Sequence, residues 1–234
     1  TLDFRDPKIW SEGDRYFAVI GNRPADGSGQ ILLYQSEDAL TWKFISVLAS
    51  CHNQYGKMWE CPDFFSLDDK DVLLVSPQEM MTAGLEFHPG NGTLCIIGQL
   101  DPSKGHLDRE SVQAIDYGID FYASQTVKTP DGRRVMIAWM QNWDSSNCTP
   151  GDARFFGQMT LPRELHIEED RLIQVPVREI EQYRGIKTSY RHVMICEETH
   201  LNGIDGRFVD MTVQIRPVNL ARIYRYFTIK VAKD

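Results

Sequence analysis

The chain is written as short β-rich runs broken by turn formers, and that rhythm restricts its fold more than any other feature. RYFAVIG, QILLYQS, WKFISVL, DVLLVSP, TLCIIGQL, RVMIAWM and GQMTLP are separated by NRPADGSG, HPGNG, TPDG and DSSNCTPGD. Helical periodicity is scarce, so an all-β sandwich, barrel or propeller is expected. Spacing discriminates among these. RDPKIW, CPDFFSL and GIDFYAS each set an aspartate before an apolar or aromatic stretch, and Asp6, Asp63 and Asp120 stand 57 residues apart in both intervals. Each is followed by a second run (YFAVIG, VLLVSP, VMIAWM) and a third (ILLYQS, LCIIGQL, FFGQMTLP). A unit of four strands recurring at about 50 residues points to propeller blades rather than a sandwich. The first strand of each blade lines a central channel, so Asp6, Glu60 or Asp63, and Asp120 or Tyr122 are expected to meet around one cavity.

Past residue 168 the texture changes. HIEEDRLIQVPVREIEQYR reads as a strand and then a charged linker, and TSYRHVMICEE, RFVDMTVQIRP and RIYRYFTIKVAKD alternate as sandwich strands do. The expected division is a propeller over 1–168, a linker over 169–186 and the start of a C-terminal β-sandwich over 187–234. The net charge of −8 gives no electrostatic footprint for nucleic acid or an anionic membrane. No apolar run approaches the roughly 18 residues that span a bilayer. The five cysteines are dispersed with no C-x-x-C pair, which suggests reduced thiols in a cytoplasm rather than a zinc site or disulfide framework. The six histidines lack metal-ligand spacing, so neither metal nor cofactor is expected. Asn91 and Asn147 stand in chance sequons, GNRPADGSG is a hairpin turn, and Glu168 to Asp170 is a solvated one.

The stretch MWECPDFF raises a chemical question, because Glu60 sits among apolar residues where a charge is costly to bury without a partner. FRDPKIW, WECPDFF, DYGIDFYASQT, RVMIAWMQNW and GQMTLPREL resemble, in order and spacing, glycoside hydrolase family 32, the invertases, sucrose-6-phosphate hydrolases and fructan hydrolases. The resemblance covers about residues 1–180. It implies a five-bladed β-propeller followed by a β-sandwich, and retaining hydrolysis of β-fructofuranosides with a sugar as the partner. It also implies roles: Glu60 as acid/base, Asp6 as stabiliser of the transition state, Arg5 beside the carboxylates, and Tyr122 and Trp143 shaping the fructose pocket. Trp59 and Pro62 are expected to dehydrate Glu60 and Asp6 to add like charge, both raising its proton affinity. Asp116 and Asp120 are expected to organise a turn, and Cys61 to pack near the site.

One family element is absent. The resemblance places the nucleophile in an Asn-Asp-Pro motif upstream of RDP, and no such motif occurs in these 234 residues. The chain therefore reads as a fragment lacking most of the first blade, inactive as it stands. Two other readings remain: a carbohydrate-binding propeller without turnover, and a fructan hydrolase with the same chemistry.

Overall fold

The structure is a computed structural model that describes residues 2–146, 151–152, 154–195, 197–204, 206, 208–217 and 226–230. Among these described residues twelve strands form three four-stranded antiparallel sheets, each built from consecutive strands. The first holds β1 (Asp3–Glu12), β2 (Arg15–Arg23), β3 (Gln30–Ser36) and β4 (Lys43–Ser50). The second holds β5 (Met58–Leu67), β6 (Lys70–Gln78), β7 (Leu94–Asp101) and β8 (His106–Ala114). The third holds β9 (Tyr122–Lys128), β10 (Arg134–Trp139), β11 (Arg163–Glu168) and β12 (Arg171–Pro176). Tight turns set the registers. Asp68 and Asp69 both take positive φ (48° and 62°) between β5 and β6, the primed turn that matches strand twist.

Side-chain alternation explains how the sheets stack. In the middle sheet Leu73, Val75, Leu94 and Ile96 join Val19, Ile31, Leu33 and Leu48 in a core shared with the first sheet. Their neighbours Val72, Leu74, Cys95 and Ile97 join Phe121, Met136, Ala138, Leu165 and Leu172 in a core shared with the third. A sheet buried on both faces needs unbroken apolar runs, which is why DVLLV and LCII do not alternate in polarity. The outer sheets pack one face against the middle sheet and leave large apolar residues exposed on the other. Phe4 and Phe44, half-exposed, flank Tyr34 in edge-on contacts on the first sheet, and Val127 and Val175 stay exposed on the third.

Three sequence expectations are corrected. FFGQMTLP is not the third strand of its sheet: only Met159 bridges to Trp139, and RELHIE takes the strand position as β11. The boundary expected at 168 falls in the β11–β12 turn, and RLIQVP pairs residue by residue with RELHIE through Pro176. The sheet region thus absorbs the first part of the expected linker, because Leu172 (3 % exposed) belongs to the core. Compact units divide at 178/179, where a short 3₁₀ helix (Arg178–Tyr183) begins. Among the described residues beyond it, TSYRHVMICEE and RFVDMTVQIRP form no strand. A strand needs a neighbour for its backbone groups, and alternation alone does not supply one. RIYRYFTIKVAKD lies largely outside the described residues, as do Asn147, Cys148 and Cys196.

The first and second sheets meet through glycine. A Cβ on Gly21 would stand 2.2 Å from the Trp59 carbonyl oxygen, and one on Gly29 would stand 2.6 Å from the Trp59 ring. Gly21→Ala is expected to destabilise the chain by about 1–3 kcal/mol in urea unfolding, the usual cost of overpacking. Gly185→Ala, with nothing within 4 Å, serves as the control; equal stability of the two variants would show that the sheets are not packed this closely.

Candidate active site

The first strand of every sheet breaks its ladder near its start, and these breaks build the site. Register shifts fall between Arg5 and Lys8 on β1 and between Glu60 and Asp63 on β5, and a third lies opposite β9 between Ile137 and Trp139. At each break a non-glycine residue takes positive φ: Asp6 (62°), Cys61 (48°) and Ala123 (54°). Pro7 and Pro62 follow the first two, and proline suits a bulge because it has no N–H to leave unpaired. A bulge re-aims the side chain beside it. The residues immediately before the three turned positions are Arg5, Glu60 and Tyr122, and they converge.

Glu60 is 6 % exposed, and its carboxylate accepts hydrogen bonds from all three sheets and one loop. Arg5 Nε donates to Oε1 at 2.7 Å. Oε2 accepts from the Tyr122 hydroxyl at 2.7 Å, Gln78 Nε2 at 3.0 Å and Trp143 Nε1 at 3.0 Å. Burial, with Glu60 alongside, drives the Tyr122 phenol far above its ordinary range, so it stays a donor. Asp6 Oδ2 accepts from the Cys61 backbone N–H at 3.1 Å, which sets the second carboxylate against the residue following Glu60. Burial, reinforced by Asp6 and Glu60, pushes the Cys61 thiol up to about 12. Arg5 loses some proton affinity to burial, but its hydrogen bonds to Asp3 and Glu60 more than restore it, and it stays cationic.

Every residue singled out for the site (Glu60, Asp6, Arg5, Tyr122 and Trp143) lies in this cluster. Asp63 and Asp120 do not, so the equal 57-residue spacing is not structural equivalence. Asp6 occupies a bulge, Asp63 lies two residues past one, and Asp120 precedes β9. Asp63 is fully buried, accepts the Thr126 N–H at 2.6 Å and faces Lys8 Nζ at 3.4 Å, tying the second sheet to both the third and the first. Asp120 accepts from Ser145 Oγ at 2.8 Å and from Asn142, bracing the loop that delivers Trp143. Asp116 accepts the Gly118 N–H and pairs with Arg163, the turn role expected of it. Trp59 does not shield Glu60: adjacent strand residues face opposite ways, and its indole lies in the core, donating to the Tyr55 carbonyl at 2.7 Å. Gln78 was not singled out, since a lone glutamine at a strand end carries no sequence signal. Asn91 is buried and donates to Asp144, so it is no free acceptor for a glycan.

Other features fall outside the cluster. A cavity of about 840 Å³ lies beside the third sheet, lined by residues such as Ile119, Phe121, Met140 and Arg163, and no donor to Glu60 lines it. Among the described residues no three His, Cys, Asp or Glu side chains converge to hold a metal, and no helix is long and apolar enough to cross a membrane.

A buried carboxylate ringed by phenol, indole, amide and guanidinium donors on an all-β frame is an arrangement suited to holding and moving a proton beside a hydroxyl-rich ligand. Similarity to known proteins gives the chain its family. Residues 1–176 match the model of the glycosyl hydrolases family 32 N-terminal domain, and the chain belongs to that family. Its similarity to a raffinose invertase of Escherichia coli is 40 % identity over 183 residues, covering 78 % of this chain and 38 % of the relative. A sucrose-6-phosphate hydrolase of Zymomonas mobilis is 38 % identical over 206 residues, covering 84 % and 40 %. A Bombyx mori family 32 β-fructofuranosidase superposes with a TM-score of 0.71 at 37 % identity, over 79 % of this chain and 39 % of that one. A mutant of the same enzyme is known in complex with sucrose. The chain spans about two fifths of the length of the curated relatives it matches.

Iodoacetamide labelling checks the electrostatics around Cys61. With its thiol near 12, only about one molecule in 10⁴ is thiolate at pH 8, and labelling is expected to be correspondingly slow. Asp6→Asn removes the carboxylate that sits against Cys61 and is expected to speed it; labelling of Cys61 at the rate of an ordinary free thiol would contradict the described environment.

Proposed function

We propose that these residues form the acid/base half of a β-fructofuranosidase site. It acts on terminal β-D-fructofuranosides, sucrose or sucrose 6-phosphate, by retaining double displacement. The observation that carries the reading is the convergence of Arg5, Gln78, Tyr122 and Trp143 on the buried carboxylate of Glu60. Oε2 already accepts three hydrogens, so the proton that Glu60 delivers to the leaving oxygen rides on Oε1. The same oxygen later takes a proton from the attacking water. Asp6, turned at its bulge, accepts hydrogen bonds from fructose hydroxyls that strengthen as the oxocarbenium-like transition state forms. Trp143, half-exposed at the mouth of the cluster, and Arg5 contact the sugar.

The nucleophile is the Asp of an Asn-Asp-Pro segment that is not among these 234 residues. We place the three sheets within a five-bladed propeller followed by a β-sandwich. The apolar residues left exposed on the outer faces, Phe4, Ile9 and Phe44 on one side and Val127 and Val175 on the other, support further sheets on both sides. Names of similar proteins, sucrose-6-phosphate hydrolase and raffinose invertase, support the substrate class. The net charge of −8 and the free Cys51, Cys61 and Cys95 support a cytoplasmic protein whose partner is a small sugar rather than nucleic acid or membrane.

Fructose release tests the reading. These residues by themselves are expected to turn over neither sucrose nor sucrose 6-phosphate. Within a longer chain carrying the Asn-Asp-Pro segment they are expected to release fructose, and Glu60→Gln to lower kcat by about 10²- to 10⁴-fold. A near-normal rate in that variant rejects Glu60 as acid/base. Sugar binding without turnover in the longer chain indicates a binding module, and a preference for inulin or levan a fructan hydrolase.

A further inference from the structure

The cation beside Glu60 is itself held by a second carboxylate that the site chemistry has not used. Asp3 and Arg5 are two residues apart on β1, so both project from the same face of the strand. Arg5 Nη1 donates to Asp3 Oδ1 at 2.5 Å while its Nε donates to Glu60 at 2.7 Å. Its remaining nitrogen, Nη2, reaches Gln78 Oε1 at 3.5 Å. Each nitrogen of the guanidinium therefore addresses a different residue. Asp3 is fixed in turn from across the ladder. Its register partner on β2 is Arg23, whose Nε lies 3.5 Å from Asp3 Oδ2 although it makes no hydrogen bond. Arg23 continues to Glu79 at 3.6 Å, and Glu79 to Lys57 at 2.7 Å. The signs alternate along the whole row, from Glu60 through Arg5, Asp3, Arg23 and Glu79 to Lys57.

This arrangement matters because of how arginine prefers to bind a carboxylate. Left alone, a guanidinium offers two parallel N–H groups to both oxygens, and that fork stabilises the ionised form strongly. A forked Arg5 would take both oxygens of Glu60, compete with Tyr122, Gln78 and Trp143 for Oε2, and oppose protonation at Oε1. The single bond seen here leaves Oε1 able to carry a proton and still accept from Nε.

We propose that Asp3 is a positioning residue: by holding Nη1 of Arg5 it fixes the orientation of the guanidinium, so that Nη2, the nitrogen that would complete a fork with Nε, stays toward Gln78, the Arg5–Glu60 contact remains one hydrogen bond, and Glu60 remains a usable proton donor. The inference rests on the acid/base reading of Glu60 for its meaning. Its test reads the geometry of Arg5 instead of turnover, so the two fail separately.

The experiment is the crystal structure of the chain with Asp3→Ala, accompanied by ¹⁵N NMR of the Arg5 guanidinium in solution. The expected result is a rotated Arg5 with two nitrogens within roughly 2.7–3.2 Å of the two Glu60 oxygens, loss of the Gln78 contact, and slowed exchange of the Nη protons. Asp3→Glu, which restores the carboxylate, is expected to return the single bond. Should Asp3→Ala fail to fold, Asp3→Asn keeps the shape without the charge and is read for the same rotation. An Arg5 that keeps one hydrogen bond to Glu60 after the Asp3 charge is gone overturns the proposal.

Discussion

A single buried carboxylate organises the site. Glu60 accepts hydrogen bonds from Arg5 of the first sheet, Gln78 of its own, Tyr122 of the third and Trp143 of the loop after β10. Removing a charge from water costs several kcal/mol unless partners replace the solvent, and these four donors do so. The requirement runs outward from there. The three sheets must stack closely enough for their first strands to meet, which explains Gly21 and Gly29 against Trp59. Each of those strands must turn one residue out of its ladder, which explains the positive φ at Asp6, Cys61 and Ala123. Backbone strain of this kind costs on the order of 1–3 kcal/mol per residue and persists only where the surroundings hold it. Here the freed Cys61 N–H is taken by Asp6, and the Ala123 N–H by Ser76 Oγ at 2.9 Å.

Much of this was legible in the sequence, for reasons that can be named. Glu60 between Trp59 and Cys61-Pro62 stood out because a charge in an apolar strand has few innocent explanations. The all-β class followed from the density of short runs and turn formers, and the repeat of strands was real. The aspartate interval was not its register. The structurally equivalent positions are Arg5, Glu60 and Tyr122, three unlike residues that no search for a repeated side chain would align. What they share is a backbone event, and bulges leave a weak trace: proline after two of the three turned residues and nothing after Ala123.

The rest was hidden because it depends on contacts across sheets. Gln78 and Asp3 are ordinary polar residues at strand ends until β5 and β1 place them beside Glu60 and Arg5. Trp59 looked like the shield of its neighbour, yet strand alternation turns it into the core, and Trp143, 83 residues away in sequence, supplies the indole. RELHIE and RLIQVP looked like a boundary and a linker because their charged residues mask a two-residue period, and Leu165, Ile167 and Leu172 mark the face packed on the core. Past Arg178 the reverse holds: alternation suggested strands, and no ladder forms among the described residues.

The central claim is that Glu60 faces the bond to be broken. The most direct measurement is a crystal structure of the protein soaked with fructose. The account predicts the anomeric hydroxyl of fructose within about 3.2 Å of Glu60 Oε1, with neighbouring hydroxyls on Asp6 and the ring against Trp143. Fructose bound elsewhere on the molecule, or seated in this cluster with its anomeric centre turned away from Glu60, would contradict it.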